Sequence, residues 1–164
     1  MQDRYLSEQR ERFAKVMAAR TTSKDLIGLF GKLVESDKFD IPAKPHCFAD
    51  LLVKCSLRIP GSKLDELLTA IDDAWAGDII RSTYGDGADP IIGGVVRRAL
   101  EVAMQDDVIE RRLGLLRHSG LVRDPAHALE LAVAAGLPGD IAARLRHALA
   151  RISARPRPVQ ACPF

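Results

Sequence analysis

Aromatic residues are scarce in this chain, with five Phe, two Tyr and one Trp among 164 residues. Its core must therefore be built from Leu, Ile, Val and Ala, a bias that favours helices over strands. No apolar run approaches the roughly 18 residues of a membrane-spanning helix, so insertion into a bilayer is not expected. Cysteine is also sparse: Cys47, Cys55 and Cys162 are odd in number and follow no secreted disulfide framework. The opening Met-Gln-Asp-Arg lacks the apolar stretch of a signal peptide, and the two observations together predict a reducing, cytoplasmic setting. A formal net charge of +2 is too small by itself to argue for nucleic acid or a membrane surface.

Recognisable reaction chemistry is missing as well. The chain has no Gly-x-Ser-x-Gly, no phosphate-binding glycine loop and no Gly-x-Gly-x-x-Gly. A ferritin-like carboxylate centre needs Glu-x-x-His on two helices, and the chain contains no such tetrad. His46 with Asp50 and Cys47, and Asp124 with His127 and Glu130, share helix faces but supply too few ligands to make a site. Cys47 and Cys55 lie about 12 Å apart along a helix, too far to chelate one zinc ion. Asp72-Asp73 and Asp106-Asp107 read as solvated pairs, and Gly85 to Asp89 lacks the further oxygens of a calcium loop. No catalytic, cofactor or metal residue is therefore assigned.

What the chain does have is the composition of a globular protein, 47% hydrophobic and 28% charged, at a length whose folding removes roughly 70% of the unfolded surface from water. Its charge is segregated. Ser62 to Pro90 holds seven acids against two bases, whereas Ile141 to Phe164 holds five arginines and no acid. Opposite charges at two ends of a small helical protein suggest an internal clasp or two docking surfaces. All seven lysines lie between Lys15 and Lys63, so every later base is an arginine, a pattern that genome-wide codon bias also produces.

Apolar periodicity predicts seven helices and no strand. The first, Asp3 to Arg20, has a sparse apolar side of Leu6, Phe13, Val16 and Met17 and reads as loosely packed or partner-binding. A second is announced by Thr22 with Asp25 three residues later and ends near Asp37. Ile41 to Pro45 is a stiff connector, followed by a helix from about Pro45 to Leu57 with Phe48, Leu51, Leu52 and Cys55 inward. Ser62 opens one amphipathic helix carrying Leu64, Leu67, Leu68, Ile71, Trp75 and Ile79 on a single side. Asp89-Pro90 reads as a cap before proline, starting a helix of about 28 residues to His118 that serves as a central strut. Its first half is apolar on two sides, Gly93-Gly94 admits a close neighbour, and a kink falls near Asp106-Asp107. Asp124-Pro125 starts a short helix to about Ala135, and a final helix reaches Ala154.

The fold expected is all-α, a compact bundle of six to seven helices around the long 90–118 helix. Residues 1–154 form one domain, and 155–164 an extended Arg-Pro tail.

Ala128 to Leu137 resembles the first half of a helix-turn-helix, with small Ala132 four before Gly136. The usual pattern buries the sixth residue after that glycine, here Ala142, whereas the larger Ile141 comes one early, so the register looks displaced by one. Pro138-Gly139 also weakens the start of a recognition helix. The last helix carries a basic stripe of Arg144, His147, Arg151 and Arg155, extended by Arg157, which fits phosphates, an acidic partner or the chain's own acidic helix, or is a plain solvated face. The leading expectation is a non-catalytic protein-interaction module, such as an adaptor or regulatory subunit, with a protein partner or a second copy of itself. Leu6, Phe13 and Met17 are its candidate contacts, with Arg144, His147, Arg151, Arg155 and Arg157. The second is a nucleic-acid-binding regulator that uses the basic helix and tail.

Overall fold

A computed structural model describes residues 2–35, 43–73, 76–101 and 106–154, and every regular element among them is helical. The α-helices are α1 (Gln2–Ala18), α2 (Ser23–Glu35), α3 (Lys44–Arg58), α4 (Leu64–Asp73), α5 (Ala76–Tyr84), α6 (Ala88–Glu101), α7 (Asp106–His118), α8 (Pro125–Ala134) and α9 (Gly139–Ala154). Short 3-10 turns, Gly61–Lys63 and Gly85–Gly87, lead into α4 and α6.

Local chemistry explains most of the boundaries. Thr22 Oγ1 accepts the amide of Asp25 at 3.1 Å, which satisfies a first-turn donor of α2 as the Thr-Asp spacing predicts. Asp124 caps α8 by accepting the amide of His127 at 2.8 Å, and Pro125 occupies the first turn, where its missing N–H costs nothing. Two helices end in Schellman motifs with glycine in the left-handed region. After α7, Gly120 (φ 79°) lets Leu121 donate to Leu116; after α8, Gly136 (φ 97°) lets Leu137 donate to Ala132.

Two expected helices are each divided, which accounts for nine helices among the described residues where seven were predicted. The amphipathic segment beginning at Ser62 starts as a 3-10 turn and becomes α4 and α5. In one continuous helix the Gly77 amide would bond to residue 73; it donates instead to Ser119 O at 3.0 Å. Bare backbone explains the choice. A Cβ on Gly77 would collide with the backbone of Gly120, 2.8 Å from its Cα and nearer still to its carbonyl carbon and oxygen. Trp75 lies outside the described residues.

The 90–118 strut is also corrected. Ala99 and Arg112 would lie about 20 Å apart along one helix, yet Arg112 donates to Ala99 O at 2.9 Å across 13 positions of sequence. The axes of α6 and α7 therefore cannot be collinear. Residues 102–105 and the side chain of Asp106, where the kink was expected, lie outside the described residues. α6 alone takes the central place. It packs against α3, α5, α7 and α8, and buries Ile92, Val95, Val96, Ala99 and Leu100. Of the glycine pair, Gly93 makes the close approach, its Cβ position being 3.0 Å from Leu131 O on α8, while the Gly94 position is open. The helix begins at Ala88, one residue before the expected Asp89 cap, because the preceding 3-10 turn runs directly into it.

The core runs through all nine helices. Phe30 of α2 and Phe48 of α3 meet edge to face with centroids 5.0 Å apart, so an aromatic pair marks the contact between these two helices. Arg112, only 4% exposed, ties three segments together by bonding Asp65 Oδ1 (3.3 Å), Ala99 O (2.9 Å) and Gly61 O (2.6 Å). Arg111 adds a 2.7 Å bond to Asp65 Oδ2, so this acid of the 62–90 stretch pairs with α7 and not with α9.

Candidate interaction surface on the last helix

α9 packs against α7 and α8. Ala142, Leu145 and Ala148 are its buried side, each 3% exposed, with Ile141, Leu149 and Ile152 half-buried beside them. Three- and four-residue spacing then puts Arg144, Arg146, His147 and Arg151 on the outside, and all four are exposed. The entry of the helix is fixed from α6, whose Arg97 donates to Ala135 O at 3.1 Å beside the Gly136 turn.

Between α9 and the start of α7 lies a groove of about 590 Å³. Ile109, Leu145 and Ala148, at 4%, 3% and 3% exposed, form its closed floor, so that of its apolar residues the half-buried Ile141 offers the accessible surface, and Arg144, His147 and Arg151 supply basic groups. Asp140 and Glu101 also line it, the latter paired with Arg97 at 3.4 Å. Cations ranged beside a small apolar contact suit a mainly anionic ligand that brings an apolar group to Ile141. Ile109 was not foreseen as part of such a surface. It fell within the one long helix expected at 90–118, and apolar periodicity does not show that α7 leaves the axis of α6 and packs beside α9.

The expected contacts divide sharply. Arg144, His147 and Arg151 share this groove, whereas Arg155 and Arg157 lie outside the described residues. Phe13 and Met17 are 2% and 5% exposed and belong to the chain's own core, so neither presents itself to a partner. Leu6 is half-buried. The reason is that α1 docks on α3, where Arg10 forms a two-pronged bond to Asp50 at 2.9 and 2.7 Å. That hydrogen bond to Asp50 raises the pKa of the Arg10 guanidinium.

The two ligand sets considered from sequence are engaged elsewhere. Both carboxylate oxygens of Asp50 go to Arg10, His46 Nδ1 lies 2.8 Å from the Tyr84 hydroxyl, and burial pushes the Cys47 thiol up to about 11. Asp124 Oδ1 caps α8, and His127 Nδ1 accepts the Arg123 amide at 3.1 Å, which places the proton of a neutral ring on Nε2. No group of three or more metal-ligating side chains converges among the described residues. Nor, among those residues, is any helix long and apolar enough to cross a membrane.

The helix-turn-helix register is corrected by burial. Ala142, six residues after Gly136, is the buried one, while Ile141 is half-exposed and turns toward the groove. Size misled the sequence reading, because the larger side chain was assumed to be the inward one. No family model, curated protein or solved structure matches this chain.

Proposed function

We propose that this chain is a non-catalytic protein-interaction module that receives an acidic amphipathic helix of a protein partner in the α7–α9 groove. The observation that carries the reading is the row of basic groups, Arg144, His147 and Arg151, beside the half-buried Ile141. An incoming helix would set an apolar residue against Ile141 and its carboxylates along the arginines, a variant of the arrangement by which grooves select helical segments. Because Phe13 and Met17 are buried, this reading leaves out α1, where the sequence placed part of the docking face, and rests on α9.

The test is capture from nuclease-treated lysate by the full chain, run beside the Arg144→Glu/Arg151→Glu chain and quantified by mass spectrometry. A protein retained by the first and lost from the second supports the proposal. Identical recovery on both chains, or none on either, refutes it.

A second reading, a nucleic-acid-binding regulator, is favoured by one specific feature. With Ala142 inward, the α8–α9 hairpin has the register of a helix-turn-helix, and Arg144, Arg146 and His147 lie on the outer face of its second helix. This reading requires a gel shift with duplex DNA or RNA at low salt, with a slope against log salt that shrinks in Arg144→Gln/Arg146→Gln/Arg151→Gln. Absence of a shift at low salt removes it.

A further inference from the structure

A second basic locus sits at the opposite end of the chain, where α1, α2 and α3 meet. Arg20 follows α1, Thr21, Thr22 and Ser23 lead into α2, and Arg58 closes α3; together these five line a cavity of about 50 Å³, with Leu26 and Ile59 as its apolar wall. That is room for a few waters or one small polyatomic ion. Among the described residues, no carboxylate lines it.

Arg20 carries the argument. Arg20 is half-buried, and its Nε is buried and has no hydrogen-bond acceptor among the described residues. A guanidinium donor withdrawn from water without an acceptor is costly, and other arginines of this protein avoid that cost. Arg81 bonds the carbonyls of Gly120 and Leu121, Arg97 those of Ala135 and Glu101's carboxylate, and Arg112 its three partners. Arg58 is exposed and, among the described residues, pairs with no carboxylate.

The backbone adds a second source of positive potential. Thr22 Oγ1 takes the Asp25 amide, so the Ser23 and Lys24 amides remain as first-turn donors of a 13-residue helix. Asp25, the acid in that turn, is exposed and does not line the cavity. Arg20 beyond the end of α1, Arg58 at the end of α3, the hydroxyls of residues 21–23 and the start of α2 around a space of this size match a tetrahedral oxyanion, for which guanidinium is the preferred bidentate donor.

We infer that the α1–α2–α3 junction binds one phosphate-type oxyanion, held by Arg20, Arg58 and the N-terminus of α2. The ligand is inorganic phosphate or the phosphoryl group of a small monoester.

The experiment titrates the full chain, in chloride buffer of constant ionic strength, with inorganic phosphate and separately with O-phosphoserine. Nitrogen–proton spectra follow the Ser23 and Lys24 amides and the Arg20 Nε–H. Saturable shifts at these groups are expected, with the dissociation constant at least about tenfold weaker in Arg58→Gln and in Arg20→Gln/Arg58→Gln, and unchanged in Arg144→Gln/Arg151→Gln. The probe that binds tighter identifies the source of the phosphoryl group. Arg58 is exposed, so its single variant serves if the double variant does not fold. No saturable shift up to about 20 mM, shifts confined to α9, or an unchanged constant in Arg58→Gln and the double variant overturns the inference.

Discussion

Replacing Arg112 with Met tests whether the buried arginine holds α4, α6 and α7 together. The unbranched thioether roughly follows the arginine stem, so the substitution removes hydrogen bonds with little change of packing. Gly61 O and Ala99 O each lose a donor inside the protein, at about 1–3 kcal/mol apiece. Asp65 loses one of its two arginines but keeps Arg111, so its carboxylate is weakened and not abandoned. The combined loss falls near the roughly 3–5 kcal/mol found when one partner of a buried ionic contact is removed. For a domain of this length that lowers Tm by roughly 6–20 °C. The assay is urea unfolding followed by far-ultraviolet dichroism, paired with calorimetry. A midpoint shift equivalent to less than about 1 kcal/mol, with an unchanged slope, would show that water replaces the guanidinium without penalty and would refute the reasoning.

The glycines give predictions of opposite sign. Gly77→Ala forces a backbone against a backbone and should cost about 1–3 kcal/mol or more, whereas Gly28→Ala and Gly31→Ala, on the open side of α2, should each gain about 0.5–1 kcal/mol in the same urea assay. Burial pushes the Cys55 thiol up to about 12 and Cys47 up to about 11, from an ordinary value near 9. The unfolded chain therefore releases these protons first, so stability is full below about pH 9 and declines as pH rises toward the folded values. Cys55→Ala should flatten that alkaline decline relative to the starting protein, and identical slopes in pH-dependent melts would contradict it. Arg10→Ala should cost about 1 kcal/mol or less, because the pair with Asp50 is partly exposed, and melts of the single and paired variants measure the coupling.

Much of the fold was legible in sequence because its signals are local. Apolar spacing in α3 and α9, the Thr22 and Asp124 caps, and the left-handed glycine after α8 each act within one turn of helix. What failed was non-local. Nothing in the periodicity of 62–83 announces a break, since the cause is a backbone 43 residues further on that passes so close to Gly77 that no side chain fits. Likewise, the divergence of the α6 and α7 axes shows in the Arg112–Ala99 bond, where the sequence offered no more than a kink near Asp106-Asp107, because Val, Ile and Leu at helical spacing continue on both sides. The stripe on α9 could be read directly, but its apolar neighbour Ile109 could not. The cavity beside Arg20 left no trace in the sequence, where Thr22 served only as a cap.

The partners of Arg112 stand 13, 47 and 51 positions away along the chain. Such contacts form only after distant segments have met, so α4, α6 and α7 should open as one cooperative unit and protect their amides from exchange to a common free energy. α9 supplies none of those bonds. Its departure would leave those bonds in place but would uncover Ala142, Leu145 and Ala148, so the helix bearing the basic stripe can open apart from the Arg112 unit only by giving up that burial.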